Sequence, residues 1–225
     1  MAEDLSDQVA SVGVLAEPAR WALYRYVARA GEPVSRDQAS AAVDLPLHSV
    51  KFHLDRLVEQ GLLEVEYKRL TGRTGPGAGR PAKLYRRADR QVEITLPERR
   101  YDLAGDLLAA AVDRSMREGT PVGNTVQEVA RAAGLSFAAD VEETDGDEVD
   151  LVVGVLTGYG YEPRVEDGTV CLANCPFDRL AATHTELVCG MNLALITGVV
   201  DGLEATSVRP RLAPHEGRCC VEVVS

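Results

Sequence analysis

The chain has 225 residues, 45% hydrophobic and 26% charged, with five cysteines and a formal net charge of −11. That length allows two ordinary domains, each with its own core. The N-terminal M-A-E-D-L-S-D has neither the basic nor the apolar region of a secretory signal, and no apolar run approaches a membrane span, so a cytoplasmic protein with no membrane partner is expected. In that compartment thiols stay reduced, and cysteines point to metal binding or redox chemistry before structural disulfides.

The negative charge resolves into two unlike halves. Residues 1–100 carry 16 Lys/Arg against 14 Asp/Glu, a balance of +2; residues 101–225 carry 8 against 21, a balance of −13. Within residues 68–90 there are eight cations (Lys68, Arg69, Arg73, Arg80, Lys83, Arg86, Arg87, Arg90) and one acid, Asp89. Such a local excess is an electrostatic footprint for phosphate.

In chain order, residues 1–15 carry little pattern. Residues 17–30 place Trp21, Leu23, Tyr24, Val27 and Ala28 at helical spacing, with Pro18 in the first turn and Gly31 as a stop. Ser35 and Gln38 have the form of a capping box that opens a short helix through Ala42. Pro46 starts a third helix with Val50, Leu54, Leu57 and Val58 as its buried stripe and Gly61 as its end. Three helices on short turns are the helix-turn-helix layout.

Residues 62–67 and 83–87 alternate as strands on either side of the Gly-rich, basic segment T-G-R-T-G-P-G-A-G-R-P. Following a helix-turn-helix, this pair predicts a wing, with Arg73, Arg80 and Lys83 on the DNA backbone; the bland alternative is a solvated hairpin tip. In the third helix His48, Ser49, Lys51 and Phe52 lie off the apolar stripe and are the candidates for base edges. His53 and Arg56 flank the stripe as phosphate contacts, with a partly packed histidine as the alternative for His53. Ser35 and Arg36, opening the second helix, complete the DNA-facing set.

Residues 97–117 predict a longer helix with Leu103, Leu107, Ala110, Ala111 and Arg114 on one side. A single winged helix reads few base pairs, so such proteins pair across two-fold operators, and this helix is assigned to a homodimer interface. An Ala-rich helix over residues 125–133, an acidic loop and a helix over residues 149–157 follow. Residues 161–165, 169–172, 207–212 and 219–224 then read as strands around a helical stretch, residues 176–202, in a small α+β domain. The expected organisation is 1–92 winged helix-turn-helix, 93–120 dimerisation helix and 121–225 cysteine-containing sensor domain, α+β as a whole.

Three of the five cysteines, Cys171, Cys175 and Cys189, lie in V-C-L-A-N-C-P-F-D-R-L-A-A-T-H-T-E-L-V-C-G-M-N, and Cys219 and Cys220 stand near the end. Thiolates gathered from loops and strand ends suit zinc, Cu(I) or iron-sulfur clusters, while buried free cysteine is the plain alternative. Cys175 and Cys189 are fourteen positions apart, or roughly 21 Å of straight helix, too far for one site. A break near T-H-T-E, with a short helix over residues 176–182 folding back, brings them together and leaves His184 as either a fourth ligand or a surface histidine. Neighbours on a strand face opposite ways, which favours Cys220 over Cys219 as the ligand from the last strand.

The run P-L-H-S-V-K-F-H-L-D-R-L-V-E-Q-G-L-L-E, the segment G-R-P-A-K-L-Y-R and the tail N-C-P-F-D-R-L-A-A-T-H-T-E-L-V-C-G-M-N resemble the ArsR-type (also called DeoR-type) winged-helix regulators, and among them the SufR-like repressors of iron-sulfur assembly genes. The resemblance implies a DNA-bound homodimer with a cluster, 4Fe-4S or 2Fe-2S, in each C-terminal domain. Its ligands map onto Cys175, Cys189 and one of Cys219 or Cys220, and cluster state governs operator binding. Two alternatives compete: a small-molecule or zinc regulator with structural cysteines, and an enzyme. For catalysis, Thr183-His184 near Cys189 lacks an orienting Asn/Asp motif, a phosphate loop or a hydrolase signature, so no enzymatic activity is expected.

Overall fold

Helix caps and glycine stops divide the described residues of the computed structural model, 5–69, 81–139, 146–215 and 217–225, into elements that fall into two units, Met1–Ile94 and Thr95–Ser225. The first contains α1 (Leu5–Val14), α2 (Pro18–Arg29), β1 (Val34–Ser35), α3 (Arg36–Val43), α4 (Leu47–Glu59), β2 (Leu63–Lys68) and β3 (Ala82–Arg87). Ser35 accepts the Gln38 backbone N–H while the Gln38 side chain accepts from Ser35, so the capping box forms as expected. Asp44 ends α3 in the left-handed region (φ 53°), and Gly61 (φ 66°) follows α4.

Leu23, Val27, Val50, Leu54, Leu57, Leu63 and Tyr85 form the first core. Burying apolar side chains of this kind contributes about 1.5–3 kcal/mol each and holds the α2–α4 arrangement. The strands are antiparallel in the order β1-β3-β2, with Val65 opposite Tyr85. Two elements escape the sequence pattern. Helix α1 is held through Ser11, whose hydroxyl donates to the Asp7 and Gln60 carbonyls, and β1 is only two residues long. Trp21, placed with the apolar positions by spacing, is exposed and stacks on Tyr24 at 6.0 Å.

The second unit is α+β: α5 (Tyr101–Glu118), α6 (Val122–Ala139), α7 (Glu148–Gly158), β4 (Pro163–Glu166), β5 (Thr169–Leu172), α8 (Asp178–Thr183), α9 (Thr185–Gly202), β6 (Arg209–Leu212) and β7 (Val221–Val224). Its antiparallel sheet runs β4-β5-β7-β6. Helix α9 is the core element. By length and composition it is apolar enough to cross a membrane, which corrects the expectation that no run approaches a span; here Val188, Met191, Leu195, Ile196 and Val199 are buried. Gly134 of α6 and Gly198 of α9 let these helices touch backbone to backbone. Helix α5 contributes Ala104, Leu107 and Ala111 to the same core, so the segment read as a separate dimerisation helix packs within this unit.

Candidate functional site

The stripe Val50, Leu54 and Leu57 faces the core, which turns the opposite side of α4 outward. His48, Lys51, Phe52 and Arg56 are exposed there and, with Asp55 and Glu59, line one groove; Phe52 is 63% exposed. Ser49 is half-buried. His53 points elsewhere. Its Nδ1 is 3.6 Å from the Glu17 carboxylate, buried and without a hydrogen-bond partner, which matches the partly packed alternative.

Several of the remaining cations are engaged within the unit. Lys83 Nζ lies 2.6 Å from Asp55 and Tyr85 Oη donates to the same carboxylate at 3.1 Å, tying β3 to α4. Burial opposes ionisation of Asp55, but the Lys83 and Tyr85 hydrogen bonds outweigh it and hold the carboxyl below its usual range. Arg56 pairs with Glu59 and Arg86 with Glu64. Ser35 is committed to its cap, with Arg36 half-buried beside it. Arg73 and Arg80 lie outside the described residues.

In the second unit, α8 and α9 meet at His184, so the break expected near T-H-T-E is present, although no side chain caps α9. The fold-back brings Cys175 and Cys189 to one cavity of about 490 Å3, which Cys219 and Cys220 also line, together with Arg99, His215 and Arg218. The alternation argument that favoured Cys220 fails. Strand β7 begins only at Val221, and the irregular backbone after Gly217 (φ 78°) lets both cysteines reach the cavity. His184 lines a different cavity, of about 590 Å3, with Asn124, Gln127 and Glu186. Cys171 lies on β5, where it accepts a hydrogen bond from Arg218 at 3.3 Å.

The four thiols stand in two pairs. Cys189 and Cys220 are joined as a disulfide, while Cys175 and Cys219 are free and hydrogen-bonded to each other. With one pair bonded, no three His, Cys, Asp or Glu side chains form a ready ligand set among the described residues. Reduction of that bond, by two electrons and two protons, returns four thiols to one cavity, and this donor set fits a thiolate-bound metal or cluster. The free pair is asymmetric. The hydrogen bond to Cys219, with burial, pushes the Cys175 thiol well up. Accepting that bond lowers Cys219 against the opposing effect of burial, helped by the Val221 and Cys220 backbone and the Asn192 side chain.

Behind Cys219 stands a buried polar chain. Asn192 Nδ2 donates to Cys219 Sγ at 3.2 Å, and the Tyr161 hydroxyl donates to Asn192 Oδ1. Burial raises the Tyr161 phenol well above its usual value, so the hydroxyl remains a donor. These two residues, with Arg99 and Asn174, are absent from the sequence-derived set. A signal existed for one of them: Asn192 interrupts the apolar run of α9, and a buried amide needs partners.

The arrangement of α2, α3 and α4 is that of a helix-turn-helix domain, which points to a DNA-binding transcriptional regulator. A family model described as a helix-turn-helix domain matches residues 15–66, which span α2 to the middle of β2. No curated protein and no solved structure matches the chain.

Proposed function

We propose that the chain is a winged-helix repressor, acting as a homodimer on double-stranded DNA, whose operator affinity is governed by an iron-sulfur cluster in the second unit. The observation that carries this reading is the convergence of Cys175, Cys189, Cys219 and Cys220, from three separate segments, on one cavity. Cys175, Cys189 and one of Cys219 or Cys220 would hold the cluster. When bound, it supplies iron whose oxidation or loss can be read as a signal.

The chain's own residues provide the setting. Asn192 orients Cys219 through an N–H···S bond, and Arg218 stands at the cavity wall, where it donates to Cys171 Sγ at 3.3 Å. In the first unit, His48, Lys51 and Phe52 reach base edges from α4, while β2 and β3 form the wing. Exposed Val112 and Met116 on α5 suit the dimer contact. DNA affinity then differs between loaded and unloaded protein only as far as the two states differ in their contacts.

The test is the visible spectrum with iron and sulfide analysis of protein purified without oxygen, beside a Cys175→Ser/Cys189→Ser variant. A brown protein whose colour is lost in the variant supports the reading; a colourless wild type that takes up neither iron nor sulfide refutes it. A second reading, regulation by a small molecule, is favoured by the cavity between the starts of α6 and α9, lined by Asn124, Gln127, Thr183 and His184. Zinc in place of iron is separated by the same metal analysis.

A further inference from the structure

We infer that Arg99 is the positioning residue through which the thiol cavity acts on the DNA-binding unit; the inference rests on the regulatory reading above and names its coupling element. Arg99 follows closely on Ile94, the last residue of the first unit, and precedes α5. Arg99 and the two residues beside it, Glu98 and Arg100, are tied down. Arg99 Nη1 donates to Asn174 Oδ1 and, at 3.1 Å, to the Cys175 carbonyl. Asn174, 6% exposed, returns the contact by donating Nδ2 to the Glu98 carbonyl at 2.9 Å and to the Gly160 carbonyl at 2.6 Å. The Arg100 backbone N–H donates to the Pro176 carbonyl at 3.0 Å, and its guanidinium lies 5.7 Å over the Tyr159 ring.

Residues 98–100 are therefore clamped between the turn at 159–160 and the loop 174–176. That loop carries Cys175, which lines the cavity together with Cys219. Arg99 itself lines the same cavity. One guanidinium thus touches the loop backbone of a cavity cysteine, borders the cavity and sits on the strand of chain that leads into the DNA-binding unit. The Cys175 carbonyl that accepts from Arg99 belongs to the same residue as the cavity thiol, and the proposed coupling runs from that sulfur through its own backbone to Arg99. Charge-assisted bonds of this kind are strong and directional, so the segment follows the loop. Coupling between sites can be carried by such a hydrogen-bonded chain of contacts, and this one is short.

The experiment measures DNA affinity by fluorescence anisotropy, at fixed salt, on a duplex that the wild-type protein selects from a random pool. Wild type, Arg99→Lys, Arg99→Leu and Asn174→Ala are compared as cluster-loaded and cluster-free protein, with iron content and visible spectrum recorded for each. The expected wild-type ratio between the two forms is on the order of tenfold, falling to about twofold or less in Arg99→Leu and Asn174→Ala, and partly restored in Arg99→Lys. Each affinity is compared at matched iron content per protein, so the ratio reports coupling rather than occupancy, and its recovery in Arg99→Lys is what a merely structural role would not produce. An undiminished ratio in the two disrupted variants overturns the inference.

If wild type binds no iron, the cluster reading fails by itself. The ratio is then taken between reduced protein and protein treated with diamide, which accepts two electrons and two protons from a thiol pair as the S–S bond forms. Collapse of that ratio in the disrupted variants supports the inference. Persistence, or a wild-type ratio of one under both treatments, overturns it.

Discussion

Replacing Gly134 with alanine should destabilise the second unit even though alanine is the better helix former. A Cβ at this position would overlap the carbonyl oxygen of Leu195 and stand 2.8 Å from Val199 N and 3.0 Å from Gly198 C. All three are backbone atoms of α9, so no rotamer change relieves the contact. Restoring ordinary separations of about 3.5–4.0 Å at the Leu195 carbonyl requires α6 and α9 to part by roughly 1.5–2 Å, which forfeits packing along the whole crossing. Overpacking of this sort costs about 1–3 kcal/mol, here at the upper end, against a helix-propensity gain of about 1 kcal/mol. A net loss near 2 kcal/mol lowers the urea midpoint by on the order of 1 M for a typical slope. Far-UV circular dichroism follows the transition, while fluorescence of Trp21, the single tryptophan, reports the first unit separately. Gly154→Ala is the control: nothing lies within 4 Å of its added Cβ, and a gain of about 0.5–1 kcal/mol is expected. A Gly134→Ala protein as stable as wild type would refute the close crossing.

Three further outcomes are expected. Asp55→Asn should lose on the order of 1 kcal/mol, since the pair is partly solvated. The Asp55 carboxyl is held below its ordinary value near 3.8 and the Lys83 ammonium above its ordinary 10.5. The pair therefore stabilises fully between those two values, fading as pH falls through the lowered Asp55 value or rises through the raised Lys83 value; a wild-type minus Asp55→Asn difference that stays flat with pH contradicts this. Asn192→Leu leaves the buried Tyr161 hydroxyl without its acceptor and should cost roughly 1–3 kcal/mol in urea unfolding, and an unchanged midpoint would show that the chain behind Cys219 does not exist. Lys51→Ala should weaken binding to the selected duplex more than to random DNA, whereas Arg80→Ala should weaken both equally and reduce the salt slope by about 1. Titrations of each variant at several salt concentrations check the distinction, and an Arg80→Ala protein that binds as before removes Arg80 from the interface.

The first unit was readable because its signals are local. The Ser35/Gln38 box, the Val50/Leu54/Leu57 stripe and Gly61 each act within a few residues, and the helices form where they point. Helix α1 was not, because its anchor is Ser11 on the Gln60 carbonyl, a tertiary bond with no trace in spacing. The cavity was half legible. Chain length along a helix ruled out an unbroken run from Cys175 to Cys189, and a break at His184 is what the fold contains. The face preference between Cys219 and Cys220 presumed a strand that begins two residues later, and Arg99 and Asn174 join the site through long-range polar bonds that no local pattern encodes.

The internal ion pairs of the first unit bear on how the protein searches a genome. The stretch from Lys68 to Arg90 looks strongly cationic, yet Lys83 and Arg86 each face a carboxylate, as does Arg56 on α4, so the unit carries fewer uncommitted charges than its sequence suggests. Fewer phosphates are then neutralised, fewer counterions are released, and the logarithm of affinity falls less steeply with salt. Under the proposed repressor reading, this means a looser hold on random duplex than the sequence charge alone suggests. On that reading, occupancy of a promoter would rest on base contacts from a short patch around Lys51 and Phe52.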